Sequence, residues 1–495
     1  MRDHVLITRT IVGLEIHVQL RTNTKMFCGC PIRLEAPPNS CVCPVCLGHP
    51  GALPVMNGQA FRHAVLTGMA LNGTIARHTK WDRKSYYYPD LPKNYQISQY
   101  DLPLAASGDF EIQVGGTAKR VRIRRVHLEE DAGKNLHDTG NCTLVDLNRA
   151  GTPLLEIVTE PDIESAEEAY VFCTELQRLV THLGVSEAVM QKGQMRFEPN
   201  VNVVIEADGC EARTPIVEIK NLNSFRSVRQ AIEYEVQRQI AAWEEDHDYQ
   251  LGKASNENRG WNADRGVTEF QRGKEAAHDY RYFPDPDLVP VEVSDAMLEE
   301  IRATLPELPI ARRRRFVGQY GLSVKDAETL VEHRATAELF ERAIAEGAAA
   351  EVVGKQFVNV WLKLANDRGM AVTDLGVDAR RIAELAKITA DGTVNKTAAN
   401  QIAEVMLTRH ESPRGLAAEL GLVQVQDGDS TGRWVDEAFA ANEQAVRDAL
   451  ANPKKTQAAI GFLRGQVMKV SGGKADPKLV GQMIEQRLSQ MRTAT

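Results

Sequence analysis

The stretch Leu14-Glu15-Ile16-His17-Val18-Gln19-Leu20 alternates strictly, with Glu15, His17 and Gln19 on one face and apolar residues on the other. A period of two marks a strand that gives one face to a core and keeps the other for polar chemistry. Val121-Arg122-Ile123-Arg124 and Val201-Asn202-Val203 repeat the habit, and Gly- and Pro-punctuated stretches between such runs read as turns. Apolar residues recur at helical spacing over 164–183, with Ser165 placed as an N-cap, and again over 225–244. Strands mixed with helices, without a βαβ rhythm, predict an antiparallel-rich α+β domain.

Beyond it the sequence changes character. Residues 245–278 are polar and rich in Gly and Asn, which predicts a long loop or crossing segment, and Pro284, Pro286 and Pro290 close the domain. From about 295 Ala, Leu, Glu and Arg dominate, with helical periodicity over 327–350 and 379–386. The Pro- and Gly-containing stretch 412–421 suggests a break, followed by helical patterns over 434–451 and 456–470. The expected division is 1–294, 295–408 and 409–495, the last two all helical.

Three domains suit a chain of 495 residues. With 43% hydrophobic and 25% charged residues it has the composition of a globular protein, which excludes disordered and fibrous classes. A net charge of −8 argues against a general nucleic-acid coat. No apolar run approaches the roughly 20 residues of a membrane span, and the first ten residues have no signal-like stretch, so a cytoplasmic protein is expected. Every Gly-Lys pair (at Gly133, Gly252, Gly273, Gly354 and Gly473) lacks the Ser or Thr of a Walker A loop. There is no G-x-S-x-G and no H-E-x-x-H either, so any nucleotide is bound without the common loops.

Five of the eight cysteines lie between Cys28 and Cys46. Cys28-x-Cys30 followed by Cys43-x-x-Cys46 has the spacing of a closed tetrahedral zinc site, which pins a loop and leaves no catalytic position. Cys41 is a fifth candidate ligand, and reduced, partly buried thiols are the plainer reading.

Acidic residues stand where apolar ones are expected. Glu15 and His17 share a strand face, fit either for a divalent cation or for a satisfied hydrogen bond. Leu154-Leu155-Glu156-Ile157-Val158 sets a carboxylate inside an apolar strand, where an unpaired charge is costly. His127-Leu128-Glu129-Glu130-Asp131 ends another strand with three acids. Buried carboxylates have a cation or metal to balance them, and carboxylate oxygens suit Mg²⁺, the partner of ATP in phosphoryl transfer. Glu218 and Lys220 share a further strand face, and Asp82–Asp90 and Asp279–Phe283 are dense in tyrosine and charge.

Taken together these segments resemble one family, the B subunits of bacterial tRNA-dependent amidotransferases. The likeness is carried by Val12-Gly13-Leu14-Glu15-Ile16-His17, Cys43-Pro44-Val45-Cys46-Leu47-Gly48 and Tyr88-Pro89-Asp90-Leu91-Pro92-Lys93. Further matches are Ile97-Ser98-Gln99-Tyr100-Asp101, the run from His127 to Lys134, Asp146-Leu147-Asn148-Arg149, and the stretches 217–225 and 278–287. It returns at Gly461-Phe462-Leu463 and Gln466-Val467-Met468-Lys469. The resemblance implies a catalytic cradle with a glutamine-synthetase-like sheet, a helical domain and a small helical tail. It implies ATP- and Mg²⁺-dependent phosphorylation of the side-chain carboxylate of Glu-tRNA(Gln), Asp-tRNA(Asn) or both, then displacement by ammonia from a partner amidase subunit, with a small third subunit bracing the pair. By position it implies Glu15, His17, Glu130 and Glu156 as Mg²⁺ ligands, with Glu129 and Asp131 as neighbours. Residue type adds Lys84, Lys220 and Arg149 for phosphate or acyl-phosphate stabilisation. The family's zinc pattern lacks Cys41, and Phe197-Glu198 stands where many relatives have Cys-Asp.

Net charge hides a division along the chain. Residues 453–495 hold eight Lys or Arg and two acids, a net of +6, leaving −14 for the rest. Charge alone fits either a solvated face or an RNA contact, and the resemblance implies the second, with Lys454, Lys455, Arg464, Lys469, Lys474 and Lys478 as the tRNA-binding residues of this tail. Two other readings compete: a non-catalytic RNA-binding scaffold, in which the carboxylates are dispensable, and a ligase of a free amino acid, which leaves the basic tail without purpose.

Overall fold

The computed structural model describes residues 7–33, 35–137, 140–207, 210–274, 280–425, 427–451 and 456–493, which form two compact units divided between Leu308 and Pro309. The first is built on a ten-stranded sheet among the described residues. Its order is Val267–Lys274, Asn256–Asn262, Val217–Lys220, Met195–Ala207, Ile7–Gln19, Pro153–Thr159, Thr117–Glu130, Ala105–Val114 and Thr74–Ile75, with Cys210–Arg213 returning as a hairpin onto Met195–Ala207. Every pairing is antiparallel except that of Val217–Lys220 with Asn256–Asn262. The quoted alternation is therefore the C-terminal half of a long central strand.

Alternation sorts this strand's side chains. Val12, Leu14, Ile16 and Val18 are fully buried and share a core with Leu155 and Ile157 of the next strand. The helices Ala166–His182 and Phe225–Glu245 add Phe172, Leu176, Leu179, Val228 and Ile232 to that core, and Gly58–Ala70 adds Phe61, Ala64 and Val65. Ser165 caps the first of these by accepting from the Glu168 amide, as its sequence position predicts, and Ser224 caps the second through the Ser227 amide. The opposite sheet face carries Glu15, His17 and Gln19.

Two expectations are corrected in this unit. Residues 245–278 are no loop throughout: Asn256–Asn262 and Val267–Lys274 form a hairpin that ends the main sheet. Composition concealed it because polar bonds hold it. Thr268 donates to buried Glu235 at 2.7 Å, and Arg259 donates to Thr268 Oγ1 at 2.9 Å. The unit also continues past residue 294, because Leu298 and Ile301 of the helix Asp295–Arg302 lie in its core.

The second unit is helical among its described residues and has two cores. One gathers Phe316, Phe340, Phe357, Trp361 and Ile402, and the other Val435, Leu463, Val467, Ile484 and Leu488. The stretch 412–421 contains the helix Pro413–Glu419, capped by Ser412. Proline at the first helical position starts a helix as readily as proline inside one stops it. The pattern over 434–451 divides into Gly428–Ala441 and Glu443–Ala451.

Ile16 lies fully buried directly behind the polar face. Ile16→Ala is expected to destabilise the first unit by about 2–5 kcal/mol, read as a lower urea midpoint at unchanged slope; a shift below about 0.5 kcal/mol would contradict the packing described.

Candidate active site and cysteine site

Register brings the charged residues together. His17 pairs with Glu156 on one side and Arg196 on the other, and Glu156 pairs in turn with His127. One row of the sheet thus reads Arg196, His17, Glu156, His127. In the adjoining rows Glu15 pairs with Glu198, and Leu154 lies between Gln19 and Glu129. His17 Nε2 is 3.7 Å from Glu15, 3.6 Å from Glu129 and 3.6 Å from Glu156. His127 Nε2 is 3.7 Å from Glu129 and 3.3 Å from Glu156.

Two overlapping groups, Glu15/His17/Glu156 and His127/Glu129/Glu156, each bring their donor atoms within 4.8 Å of one another, close enough to share a metal ion. The Nδ1 atoms of both histidines are buried without a hydrogen-bond partner, so each ring's polar function is committed to the carboxylates. Imidazole and carboxylate donors in this number fit a divalent cation.

Electrostatics follow from the packing. Burial works against charge on His17 and His127, yet Glu156 and Glu129 overcome it and push both imidazoles up to about 9. Glu156, despite burial, is held well below the usual carboxylate range by the two histidines. Glu15 is raised by burial and by the neighbouring Glu156 charge. Lys84 is raised in spite of burial, chiefly by Glu129, with contributions from Tyr282 and Glu156.

The structure does not bring all the predicted residues together. Glu130 stands on the opposite face, where its carboxylate pairs with Lys93 and accepts from the Ile97 amide at 3.0 Å. The reason is parity: in the strand Thr117–Glu130, residues 127 and 129 share a face and 130 cannot. Glu129 takes the place expected for Glu130, and His127 joins it. The same parity argument, applied to His127-Leu128-Glu129, was the available signal.

Lys220 engages Glu198, the register partner of Glu15, and lies 2.6 Å from Glu218. Arg125, not singled out from sequence, reaches Glu156 at 3.4 Å. Asp131 accepts from Gln19 at 2.8 Å and from Arg196 at 3.0 Å. Arg149 is spent on the carbonyls of Ala132 and Gly133, at 2.9 and 2.5 Å. Past Gln19 opens a cleft of about 1060 Å³ whose lining mixes Arg21, Arg33, Lys134, Arg149 and Lys192 with Glu35, Asp146 and Glu187.

The second cluster joins Cys28, Cys30, Cys43 and Cys46, again within 4.8 Å of one another. The Cys43 amide lies 3.2 Å from the Cys46 sulfur, and Leu47 closes a turn by donating to the Cys43 carbonyl at 3.0 Å. The Cys46 thiol is drawn down to about 4, first by a hydrogen bond from Cys28 and also by the Lys25 ammonium. Four sulfurs with one readily ionised fit a structural zinc ion. Cys41 stays outside the group; its amide donates to Asn148 at 2.8 Å.

In the second unit Arg464, Lys469, Lys474 and Lys478 are exposed and, among the described residues, form no ion pair. Lys454 and Lys455 lie outside the described residues. No helix among the described residues is long and apolar enough to cross a membrane.

Comparison with known proteins covers nearly the whole chain. Residues 10–299 match the family described as GatB/GatE catalytic domain, and residues 338–488 the family described as GatB domain. A protein of Caldanaerobacter subterraneus, named as the B subunit of an aspartyl/glutamyl-tRNA(Asn/Gln) amidotransferase, is 44% identical over 97% of this chain and 99% of its own length. Relatives of the same name are 44% identical over 97% of this chain in Carboxydothermus hydrogenoformans, with 99% of that protein covered, and in Rhodopirellula baltica, with 97% covered.

Two substitution pairs test the assignments. Glu129→Gln should weaken Mn²⁺ binding, followed by electron paramagnetic resonance, by about 10-fold or more, whereas Glu130→Gln should leave it within about 2-fold; the reverse order would return Glu130 to the cluster. Purified protein should hold about one equivalent of zinc, kept in Cys41→Ser and lost in Cys43→Ser.

Proposed function

Because this chain belongs to the GatB/GatE family of amidotransferase B subunits, we propose that it activates and amidates the side-chain carboxylate of a misacylated tRNA. It is a tRNA-dependent, glutamine-dependent carbon–nitrogen ligase, taking Glu-tRNA(Gln), Asp-tRNA(Asn) or both. It works in the cytoplasm with a partner amidase subunit that supplies ammonia and a small subunit that braces the pair. The observation that carries the reading is the gathering of Glu15, His17, His127, Glu129 and Glu156 on one face of the central strands. A non-catalytic scaffold has no use for a cluster that costs so much charge burial.

The chemistry explains the residue types. A carboxylate is a poor acyl donor, and ATP with Mg²⁺, when bound, supplies the phosphoryl group that makes it a good one. Glu15, His17, Glu129 and Glu156 hold the cation, and His127 orients Glu129, two residues along its own strand, and Glu156 on the neighbouring one. Lys84, kept cationic beside Glu129, meets anionic oxygens as their charge develops. Lys220, held by Glu198 and Glu218, stands one strand beyond the Glu15–Glu198 pair, where it steers an anionic ligand toward the cluster. The cleft beyond Gln19 offers its cations to the polyanionic ligands. The cysteine site holds zinc as a structural staple. Arg464, Lys469, Lys474 and Lys478, together with Lys454 and Lys455, contact the tRNA backbone.

Glu156→Gln in the assembled enzyme should lower ATP-dependent phosphorylation of Glu-tRNA by at least about 100-fold, while tRNA retention on filters stays measurable. Turnover equal to the parent enzyme would overturn the assignment.

A further inference from the structure

An aromatic wall stands beside the cation cluster, and neither the core nor the chemistry above uses it. Tyr100 and Tyr282 stack face to face, with 4.1 Å between ring centroids and 9° between planes. Tyr280 meets Tyr282 edge-on at 6.0 Å, and Tyr86 meets Tyr280 edge-on at 6.1 Å. At its inner end Lys84 Nζ lies 5.0 Å from the centre of the Tyr280 ring. Tyr282 is itself within electrostatic reach of Lys84, Glu129, Glu156 and Arg125. The wall therefore runs from the charged cluster outward to solvent.

Its outer end is open. Tyr100 stays 52% exposed although Tyr282 covers one of its faces. Tyr88 and Tyr87, on the segment that follows Lys84, are 59% and 83% exposed. Packing pairs in this unit look different: Phe27 and Trp81 meet edge-on with both rings buried. The backbone is also held in an unusual state between the two inner tyrosines, where Arg281 has φ +45°. A side-chain-bearing residue adopts that left-handed conformation at a cost, and such positions gather at ligand sites.

Resting on the amidotransferase reading, we propose that the Tyr100–Tyr282 pair is a stacking platform for the unpaired 3′ end of tRNA, its terminal adenosine foremost. Unpaired RNA bases are recognised by stacking on aromatic rings, and every base offers a face for it. A ring that is half open at a rim suits a strand arriving from outside, whereas the base of a free nucleotide is taken up in an enclosed pocket. Stacking there sets the aminoacyl group beyond the terminal ribose toward Lys84 and the carboxylate cluster, the direction in which the wall runs.

The test uses the assembled amidotransferase and a tRNA carrying 2-aminopurine at its 3′-terminal position. Stacking on tyrosine quenches this base, so the parent enzyme should quench it on binding. Tyr100→Leu and Tyr282→Ala should lose most of the quenching and raise KM for misacylated tRNA about 10-fold, with kcat at saturation changed by less than about 3-fold. Tyr100→Phe and Tyr282→Phe should retain both values, and ATP binding in equilibrium dialysis should be unchanged throughout. Because Tyr100 is half exposed, Tyr100→Leu carries the test should Tyr282→Ala not fold. Quenching equal to the parent in Tyr100→Leu would overturn the proposal, and so would weakened ATP binding with quenching intact, which assigns the wall to the nucleotide base. Absence of ATP-dependent amidation in the parent enzyme sinks the underlying reading instead, and the quenching measurement reports on the platform regardless.

Discussion

Glu156 is a carboxylate in the middle of an otherwise apolar strand, almost fully removed from water. A buried, unpaired charge is far too costly to persist, so the surrounding fold has to supply positive partners on that spot. It does so from both neighbouring strands, through His17 at 3.6 Å and His127 at 3.3 Å, and from Arg125 at 3.4 Å. Because the strand period is two, slipping either neighbour by one residue turns its histidine into the apolar core and presents Glu156 with an apolar side chain instead. The electrostatic requirement of one side chain and the hydrophobic requirement of the opposite face thus demand the same register. That agreement is what makes three long antiparallel strands a rigid floor for chemistry.

The cluster gathers three carboxylates, Glu15, Glu129 and Glu156, around two imidazoles. Their mutual influence pushes the carboxylates in opposite directions: Glu15, nearest solvent, is raised, while Glu129 and Glu156 are lowered. Buried charge of this density is poor material for stability, since well-packed apolar residues of the same volume serve a core better. It is good material for holding a cation. The apolar back of the sheet, from Val12 to Val18 against Phe172 and Leu176, is what makes such a front tolerable.

Much of this was legible in the residues themselves. Strict alternation in Leu14–Leu20 identified the central strand, its faces and two of the cluster residues, because a half-buried strand leaves no freedom in that pattern. Glu156 was legible as an anomaly, an acid among Leu155, Ile157 and Val158. The spacing Cys28-x-Cys30 and Cys43-x-x-Cys46 picked out the four sulfurs that meet, and left Cys41 open. What failed did so for physical reasons. The hairpin of Asn256–Asn262 and Val267–Lys274 is stabilised by Glu235, Arg259 and Thr268, and a strand held by polar bonds lacks the apolar signal that reading depends on. Glu129 and Glu130 are chemically alike, so composition could not rank them. Only the side-chain direction along Thr117–Glu130 separates them. The aromatic wall is assembled from residues some 180 positions apart, a proximity no local pattern encodes.

The separation of Glu129 from Glu130 has a consequence for how the site is held. Each adjacent carboxylate has its own cation on its own face: Lys84 influences Glu129, and Lys93 pairs with Glu130. The Glu130 side also carries the cysteine loop. Lys25 is fully buried, its ammonium 3.5 Å from Cys46 Sγ and 3.3 Å from the Leu147 carbonyl, and the Met26 amide donates to the Gly151 carbonyl at 2.7 Å. Gly151, at φ +85°, a conformation that favours glycine, sits in ordinary contact with Lys25, Cys46 and Glu130, which stand 3.4, 3.6 and 3.8 Å from its Cβ position. Gly48, just past Cys46 and at φ +70°, packs more closely, with the Lys93 Cα 3.1 Å from where its Cβ would be. The end of the strand is therefore packed from behind by the cysteine loop, while its front presents Glu129 to the cluster. Consecutive strand residues point to opposite faces of one backbone, so contacts that hold Glu130 also fix the backbone from which Glu129 leaves. A residue on the wrong face for chemistry is in this way what aims the residue on the right one.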